Sequence, residues 1–217
     1  MDKDYQLQTL WLKSVESTQN YLKDLLREKQ VKPPYAVIAD EQTVGIGSRG
    51  NSWTGLEGNL FLSFAIYTKD LPKDLKIESS SIYFGYLLKE TLTELGSKVW
   101  LKWPNDFYIE EKKIGGMITH AIKDILVCGV GLNLKNSPSG FTKLDIDINR
   151  EKLLKHYFSK LEKLDTWKQV FSKYELEFWR NKNFFTHSQN NKISFKNVAL
   201  QSDGSIISNG ERIYSSR

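Results

Sequence analysis

Two stretches carry residue types whose spacing could do chemistry. In Lys102-Trp103-Pro104-Asn105-Asp106, followed by Lys112-Lys113-Ile114-Gly115-Gly116, three lysines, an asparagine and an aspartate fall within fifteen positions. Trp103 precedes a proline, which holds it extended and marks the end of a strand. Lys, Asn, Asp and Lys gathered at the ends of adjacent strands form either a solvated turn or a site for an anionic, Mg²⁺-accompanied ligand such as a nucleotide. The other stretch is glycine-rich: Gly45, Gly47, Gly50, Gly55 and Gly58 all fall between residues 45 and 58. Each adds chain entropy that a purely structural loop would be better without. Such a loop is a plain connection, is mobile, or brings backbone N–H groups up to a phosphate or carboxylate.

Gly45-Ile46-Gly47-Ser48-Arg49-Gly50 also has the G-x-G-x-x-G spacing of a dinucleotide turn. That turn requires a helix to begin at once and hold a pyrophosphate on its N-terminus. Instead Asn51 to Gly58 brings two more glycines and no helical period, and the next regular element is a strand near Asn59. The dinucleotide reading therefore fails on context. His120, His156 and His187 show no H-E-x-x-H spacing, and there is neither a G-x-S-x-G elbow nor a G-x-x-x-x-G-K-[ST] loop. The histidines are read as structural or solvent-facing.

The elements that must position these residues follow from periodicity. Residues 17–30 start with N-cap candidates and space Tyr21 or Leu22, Leu25 and Leu26 as an amphipathic helix, ended by Pro33-Pro34. Tyr35–Asp40 and Asn59–Tyr67 read as strands, with a loop between them. Residues 79–95 return to a helical period capped by Gly96. Strands follow at Val99–Trp103, Phe107–Glu110, Ile114–Ile122 and Ile125–Asn133, joined by short turns, so the sheet is expected to be largely antiparallel or mixed. Helices over about 150–163 and 166–181 complete a main domain, 1–183. From Phe184 onward few helix formers remain, and strands around Asp203-Gly204 and Asn209-Gly210 turns predict a small β appendage, 184–217. The fold class is α+β.

The chain has 217 residues, 40% of them apolar and 26% charged, which describes an ordinary globular protein. A single cysteine, Cys128, excludes an internal disulfide and sits in an apolar run as a core residue. With no signal-like N-terminus and no membrane-length apolar run, a cytoplasmic, non-membrane protein is expected. The net charge of +5 suits an anionic partner, but the Lys and Arg residues are dispersed, so DNA is not an expected one.

In order, Glu16-Ser17-Thr18-Gln19-Asn20, Gln42 to Trp53, Asn59-Leu60, Lys102 to Asp106, Lys113 to Gly116 and Gly129-Val130-Gly131-Leu132-Asn133 resemble the biotin protein ligase family over about residues 8–135. The resemblance implies a class II synthetase-like catalytic domain that makes biotinyl-5′-AMP from biotin and ATP with Mg²⁺. Biotin then passes to a lysine of the biotin carboxyl carrier protein of acetyl-CoA carboxylase. It implies Lys113 as the catalytic cation. Ser17, Thr18, Gln19, Gln42, Gly45, Ile46, Gly47, Ser48, Trp53, Lys113 and Gly116 become biotin contacts. Arg49, Lys102, Asn105, Asp106 and Asn133 become nucleotide or adenylate contacts, with Asp106 also touching Mg²⁺.

Two departures stand out. The family loop reads G-R-G-R-x-G-R-x-W, whereas Ile46, Ser48 and Asn51 fill the arginine positions here and Arg49 falls at the variable one. Either Arg49 or another cation substitutes, or the acyl-adenylate is held less tightly. The Ser17-Thr18 motif also starts too early for the DNA-binding domain of some members, so no repressor function is expected, and the C-terminal segment is shorter than the family's SH3-like barrel. A strand edge near Gly116 to Ile122 is open to a carrier or to a second copy of the chain as a homodimer. Lipoate or octanoate chemistry on the same fold, and a non-enzymatic nucleotide-binding module, are the competing readings.

Overall fold

The computed structural model describes residues 7–47, 52–53, 55–188 and 191–215. Its centre is a seven-stranded sheet in the order β1-β2-β5-β9-β8-β7-β6. The strands are β1 (Gln8–Val15), β2 (Tyr35–Gln42), β5 (Leu60–Tyr67), β6 (Trp100–Lys102), β7 (Asp106–Ile109), β8 (Lys112–Ile122) and β9 (Ile125–Leu132). Only the β1–β2 pair is parallel; the other neighbours are antiparallel. The α+β, largely antiparallel expectation holds. Strand β1 went unread, because Gln8–Val15 lies at the sheet edge with alternating half-exposed side chains and lacks a buried apolar run.

Helices cover both faces. α1 (Thr18–Arg27) lies on one, where Leu22 packs with Val37, Ala65 and Val127. α2 (Ser80–Glu94), α3 (Arg150–Lys163) and α4 (Trp167–Glu177) bury the other, against Leu62, Phe64, Leu126 and Cys128. Strand alternation sorts the side chains: on β9 Leu126, Cys128, Val130 and Leu132 point into the larger core, and Val127, Gly129 and Gly131 point toward α1. Cys128 is fully buried, and desolvation pushes its thiol up. The helix expected over 166–181 ends as α4 at Glu177 and tightens into a 3₁₀ segment, Phe178–Asn183.

The stretch read as one loop holds a minimal hairpin, β3 (Gly45–Ile46) with β4 (Ser52–Trp53). The C-terminal strands form two small sheets: β10 (Phe185–Ser188) with β11 (Asn191–Ser194), and β12 (Ala199–Leu200), β13 (Ile206–Ser208) and β14 (Glu211–Ile213). Phe195 and Ile206 from this region belong to the larger core.

Asp203 anchors the turn between β12 and β13. Its carboxylate accepts from Ser205 N and Oγ, from Lys76 Nζ at 3.0 Å and from Arg212 at 2.9 Å. Burial alone would raise its pKa, but the hydrogen bonds from Ser205 and Lys76 outweigh that and hold it at about 2, below the ordinary 3.8. A depressed carboxylate stabilises the fold above its unfolded pKa and loses that contribution as pH falls toward the folded one. Asp203→Asn is expected to cost about 1–3 kcal/mol at pH 7. The gap between the two proteins in urea-unfolding midpoint should close between about pH 4 and pH 2.

Candidate active site

The α1 face of the sheet has a floor made by register. One row across the strands reads Val37, Ser63, Gly129 and Ile118, and the next reads Ala39, Phe61, Gly131, Gly116 and Asp106. Small residues at Ser63, Gly116, Gly129 and Gly131 leave open space that larger side chains would fill, while the body of α1 covers the end around Val127 and its first turn reaches over Ser63 and Gly129 through Thr18 and Gln19. The result is a cleft walled by Ser17, Thr18, Gln19, Gln42, Ile46, Gly47, Trp53, Lys113 and Met117.

One wall is a hydrogen-bond chain. Gln42 Oε1 accepts from Thr18 N at 3.0 Å and from Thr18 Oγ1 at 3.2 Å, and Thr18 Oγ1 lies 2.9 Å from Ser63 Oγ. Thr18 has one hydroxyl proton, used toward Gln42, so Ser63 is the donor in the third contact. Ser17 caps α1, accepting from Asn20 N at 3.4 Å. Gly45 lines no cleft; it lets the β3–β4 hairpin close beside the Gln42 amide, 2.5 Å from where a Cβ would stand. Gly131 lies under the Trp53 indole, whose Cε2 is 2.6 Å from the position of an added Cβ. Gly131→Ala must therefore push Trp53 off its seat, and should lower stability by about 1–3 kcal/mol in thermal unfolding.

At the other wall Asp106 lies between two ammoniums. Lys113 Nζ is 2.6 Å from Oδ1 and Lys102 Nζ is 3.8 Å from Oδ2. The Lys102 side chain is only 9% exposed and also lies over the rings of Tyr108 and Phe195. Burial, and then the charge of Asp106, push the neighbouring Tyr108 hydroxyl up. Asn105 Nδ2 donates to Met117 O at 2.5 Å and Met117 N donates back to Asn105 O, which fixes this turn against β8.

Past Lys113 the cleft continues into a second one, lined by Lys23, Ser81, Lys102, His120, Thr186 and His187, with Gln19, Gly47, Asn105, Asp106 and Lys113 shared. Among the described residues Asp106 is the only carboxylate lining either cleft, against Lys23, Lys102 and Lys113. The surface is built for anions. No group of three His, Cys, Asp or Glu side chains among the described residues could cage a metal ion.

Most sequence-read candidates thus meet: Ser17, Thr18, Gln19, Gln42, Ile46, Gly47, Trp53, Asn105, Asp106, Lys113 and Gly116 line the first cleft, and Lys102 the second. Ser48 and Arg49 lie outside the described residues. Asn133 lines neither cleft: it is 1% exposed, donates to Thr142 O at 3.1 Å and accepts from Asn59 Nδ2 at 3.4 Å. Sequence reasoning missed Ser63, Met117 and Gly129 in the first cleft and Ser81, Thr186 and His187 in the second. The strand alternation of β5 and β9 could have found Ser63 and Gly129. Nothing local announces Ser81 or His187, which arrive from distant segments. His120 lines the second cleft's rim, where burial lowers its pKa, aided by the nearby charges of Lys23 and Arg27.

The model of the biotin/lipoate A/B protein ligase family matches residues 11–134. The chain belongs to that family. Over 96% of its length it superposes on the whole of the biotin acetyl coenzyme A carboxylase synthetase of Helicobacter pylori, solved with bound biotinylated ATP, with a TM-score of 0.92 and 38% identity. The Aquifex aeolicus biotin protein ligase in complex with biotin and ATP gives a TM-score of 0.76 at 28% identity, covering 95% of this chain and 94% of that one. The bifunctional ligase/repressor BirA of Escherichia coli is 33% identical over 127 residues, which is 55% of this chain but only 38% of that relative. No helix among the described residues is long and apolar enough to cross a membrane.

Proposed function

We propose that the chain is a cytoplasmic ATP-dependent ligase that converts biotin to biotinyl-5′-AMP and transfers it to a lysine of the biotin carboxyl carrier protein of acetyl-CoA carboxylase. The observation that carries this reading is the position of Lys113. Its ammonium lies where the polar, glycine-floored cleft meets the lysine-lined one. A carboxylate and a triphosphate repel each other, so bringing them together needs a cation at the point of contact. In the first step a biotin carboxylate oxygen attacks the α-phosphorus, and the bond to the bridging oxygen of pyrophosphate breaks. In the second, the neutral lysine amine of the carrier attacks the acyl carbon, an amide forms, and AMP leaves as its proton passes to solvent.

The chain Ser63–Thr18–Gln42, together with Ser17, is assigned to the ureido end of biotin, with Gln19, Ile46, Gly47, Trp53 and Gly116 around it. Lys102 and Asn105 are assigned to the nucleotide. Asn133 is assigned to holding the loop that runs on to Thr142, since its amide is already spent there. Mg²⁺ bound to the phosphates of ATP would supply charge neutralisation; the side chains of the described residues do not form a protein-built cage, and Asp106, the only carboxylate among them that lines either cleft, would be its protein contact. Residues 1–183 are taken as the catalytic domain and 184–217 as a C-terminal β segment. The carrier is assigned to the β8 edge from Ile118 to Ile122, because β7 pairs with β8 no further than Gly116.

The test is incubation with biotin, MgATP and a carrier domain, read by intact mass. One biotin on one carrier lysine is expected; the same mass gain from lipoate or octanoate in place of biotin, or none from any acid, overturns the reading. With isoleucine, serine and asparagine at three arginine positions, a bystander protein in the same tube reports whether the adenylate escapes.

A further inference from the structure

We infer that Arg150, the first residue of α3, is a positioning residue: it clamps both roots of the glycine-rich segment, so that the β3–β4 hairpin keeps its hold on the acyl-adenylate. The identity of the held intermediate rests on the ligase reading above. β2 and β5 pair only as far as Ala39 opposite Phe61. Beyond that point β2 runs on beside β1 to Gln42, while β5 starts beside β9 with Leu60 opposite Leu132. The two strands therefore part where the segment leaves and returns. The Arg150 guanidinium spans this gap. Nη1 donates to Ala39 O at 3.3 Å on one side and to Asn59 O at 3.2 Å on the other, and Nη2 donates to the Asp40 carboxylate. Nη1 carries two protons, one for each carbonyl.

Arg150 is itself braced. Its guanidinium carbon lies 4.6 Å from the centre of the Trp11 ring, and Trp11 Nε1 donates to Asp40 Oδ1 at 2.8 Å. For its own helix this cation is badly placed, because the N-terminal end of a helix carries partial positive charge. Its bonds lie across the gap instead. The returning root is tied a second time: Asn59 Oδ1 accepts from the N–H groups of Leu134, Lys135 and Asn136 at 3.0, 3.1 and 3.2 Å, and Asn136 Nδ2 donates to Glu57 O at 2.8 Å. Between the roots lie Ile46, Gly47 and Trp53, which line the first cleft. Fixing both roots reduces the freedom that the hairpin gives up when a ligand is bound, which strengthens binding without a new contact. With no arginine at positions 46, 48 and 51, the hold on the adenylate depends the more on this frame.

Arg150→Met keeps an apolar stem beside Trp11 and removes the donors. Release of biotinyl-AMP from preloaded protein, read by displacement with excess unlabelled biotinyl-AMP, should quicken about tenfold, the size of one lost hydrogen bond to a charged group. Transfer of the bound biotin to the carrier should stay within about twofold of the parent rate, a split that general loosening of the fold would not give. Arg150→Lys, a single point charge in place of the fork, should fall between the two. In ligand-free protein, amide hydrogen exchange should rise at residues 43–47 and 55–59 and stay level in α1 and along β8. Lys173→Met is the control: it breaks an ion pair to Glu90 from α4 and should move neither readout. Trp11→Phe keeps a ring under the guanidinium but loses the bond to Asp40, so both readouts should shift the same way by less. If Arg150→Met fails to fold, Arg150→Lys and Trp11→Phe carry the test. Release within about twofold of the parent in the Arg150 variants, or exchange that rises equally in α1 and β8, overturns the inference. If the parent neither forms nor binds biotinyl-AMP, the ligase reading falls, and exchange at the two roots alone decides whether Arg150 is the clamp.

Discussion

Lys113→Ala is expected to lower biotin adenylation by about 10²–10³-fold, the size of removing one preorganised charge donor from a reacting oxygen, while the protein stays folded. The fold survives because the Lys113 side chain is 27% exposed and its ion-pair partner Asp106 keeps Lys102 at 3.8 Å. The loss should fall on kcat for adenylate formation more than on KM for biotin, because the role we propose for the ammonium is at the point where charge gathers as carboxylate meets phosphate. Supplying preformed biotinyl-AMP should restore much of the transfer to carrier, since that step no longer brings carboxylate and triphosphate together. Single-turnover formation of the adenylate, followed by intact mass of the carrier, makes the measurement. A variant that retains more than a tenth of the parent rate would remove Lys113 from the chemistry.

The place of Lys113 in the cleft was legible because its motif is local. Lys102, Asn105, Asp106, Lys113 and Gly116 lie within fifteen positions, and an antiparallel turn returns them to neighbouring register, with Lys102 opposite Asp106 and Asp106 opposite Gly116. The strands and helices of the main sheet were legible for the same reason: periodicity is a property of short windows, and most of these elements bury one face. β1 escaped because an edge strand with one parallel neighbour needs little apolar surface. The hairpin β3–β4 escaped because two residues per strand leave no period to read.

The glycine loop shows where local reading stops. Its spacing suggested a dinucleotide turn, and only the missing helix excluded that. What Gly45 does instead depends on Gln42 and Trp53 coming together, which spacing cannot reveal. The glycines lining the first cleft include three outside the loop, Gly116, Gly129 and Gly131, made neighbours by pairing of β8 with β9. The second cleft was least legible of all, since Ser81, Lys102 and His187 come from three segments that meet only in the folded chain.

Trp103 carries that limit to its largest consequence. From sequence it marks a strand end inside a binding motif, yet its ring is fully buried and faces away from both clefts into the larger core. Its indole N–H donates to Gly204 O at 2.8 Å, across 101 positions, and its backbone N–H donates to Asn181 Oδ1 at 2.8 Å. Gly204 has φ +78 and Trp167 within 3.0 Å of an added Cβ, so the turn has no slack to follow a lost partner. Trp103→Ala removes a large buried ring and this tie together, and should cost about 3–5 kcal/mol. Trp103→Phe keeps most of the volume and strands the Gly204 carbonyl, so about 1–3 kcal/mol is expected. Because the tie joins the Lys102–Asp106 strand end to the C-terminal segment, Trp103→Phe should loosen β10 through β14 before the central sheet. Limited proteolysis should then cut first beyond residue 184, with KM for ATP rising while biotin binding, which we assign to the cleft over β5, β8 and β9, holds. Equal loosening of both regions would mean that the indole N–H holds the core as a whole and does not specifically tie down the C-terminal strands.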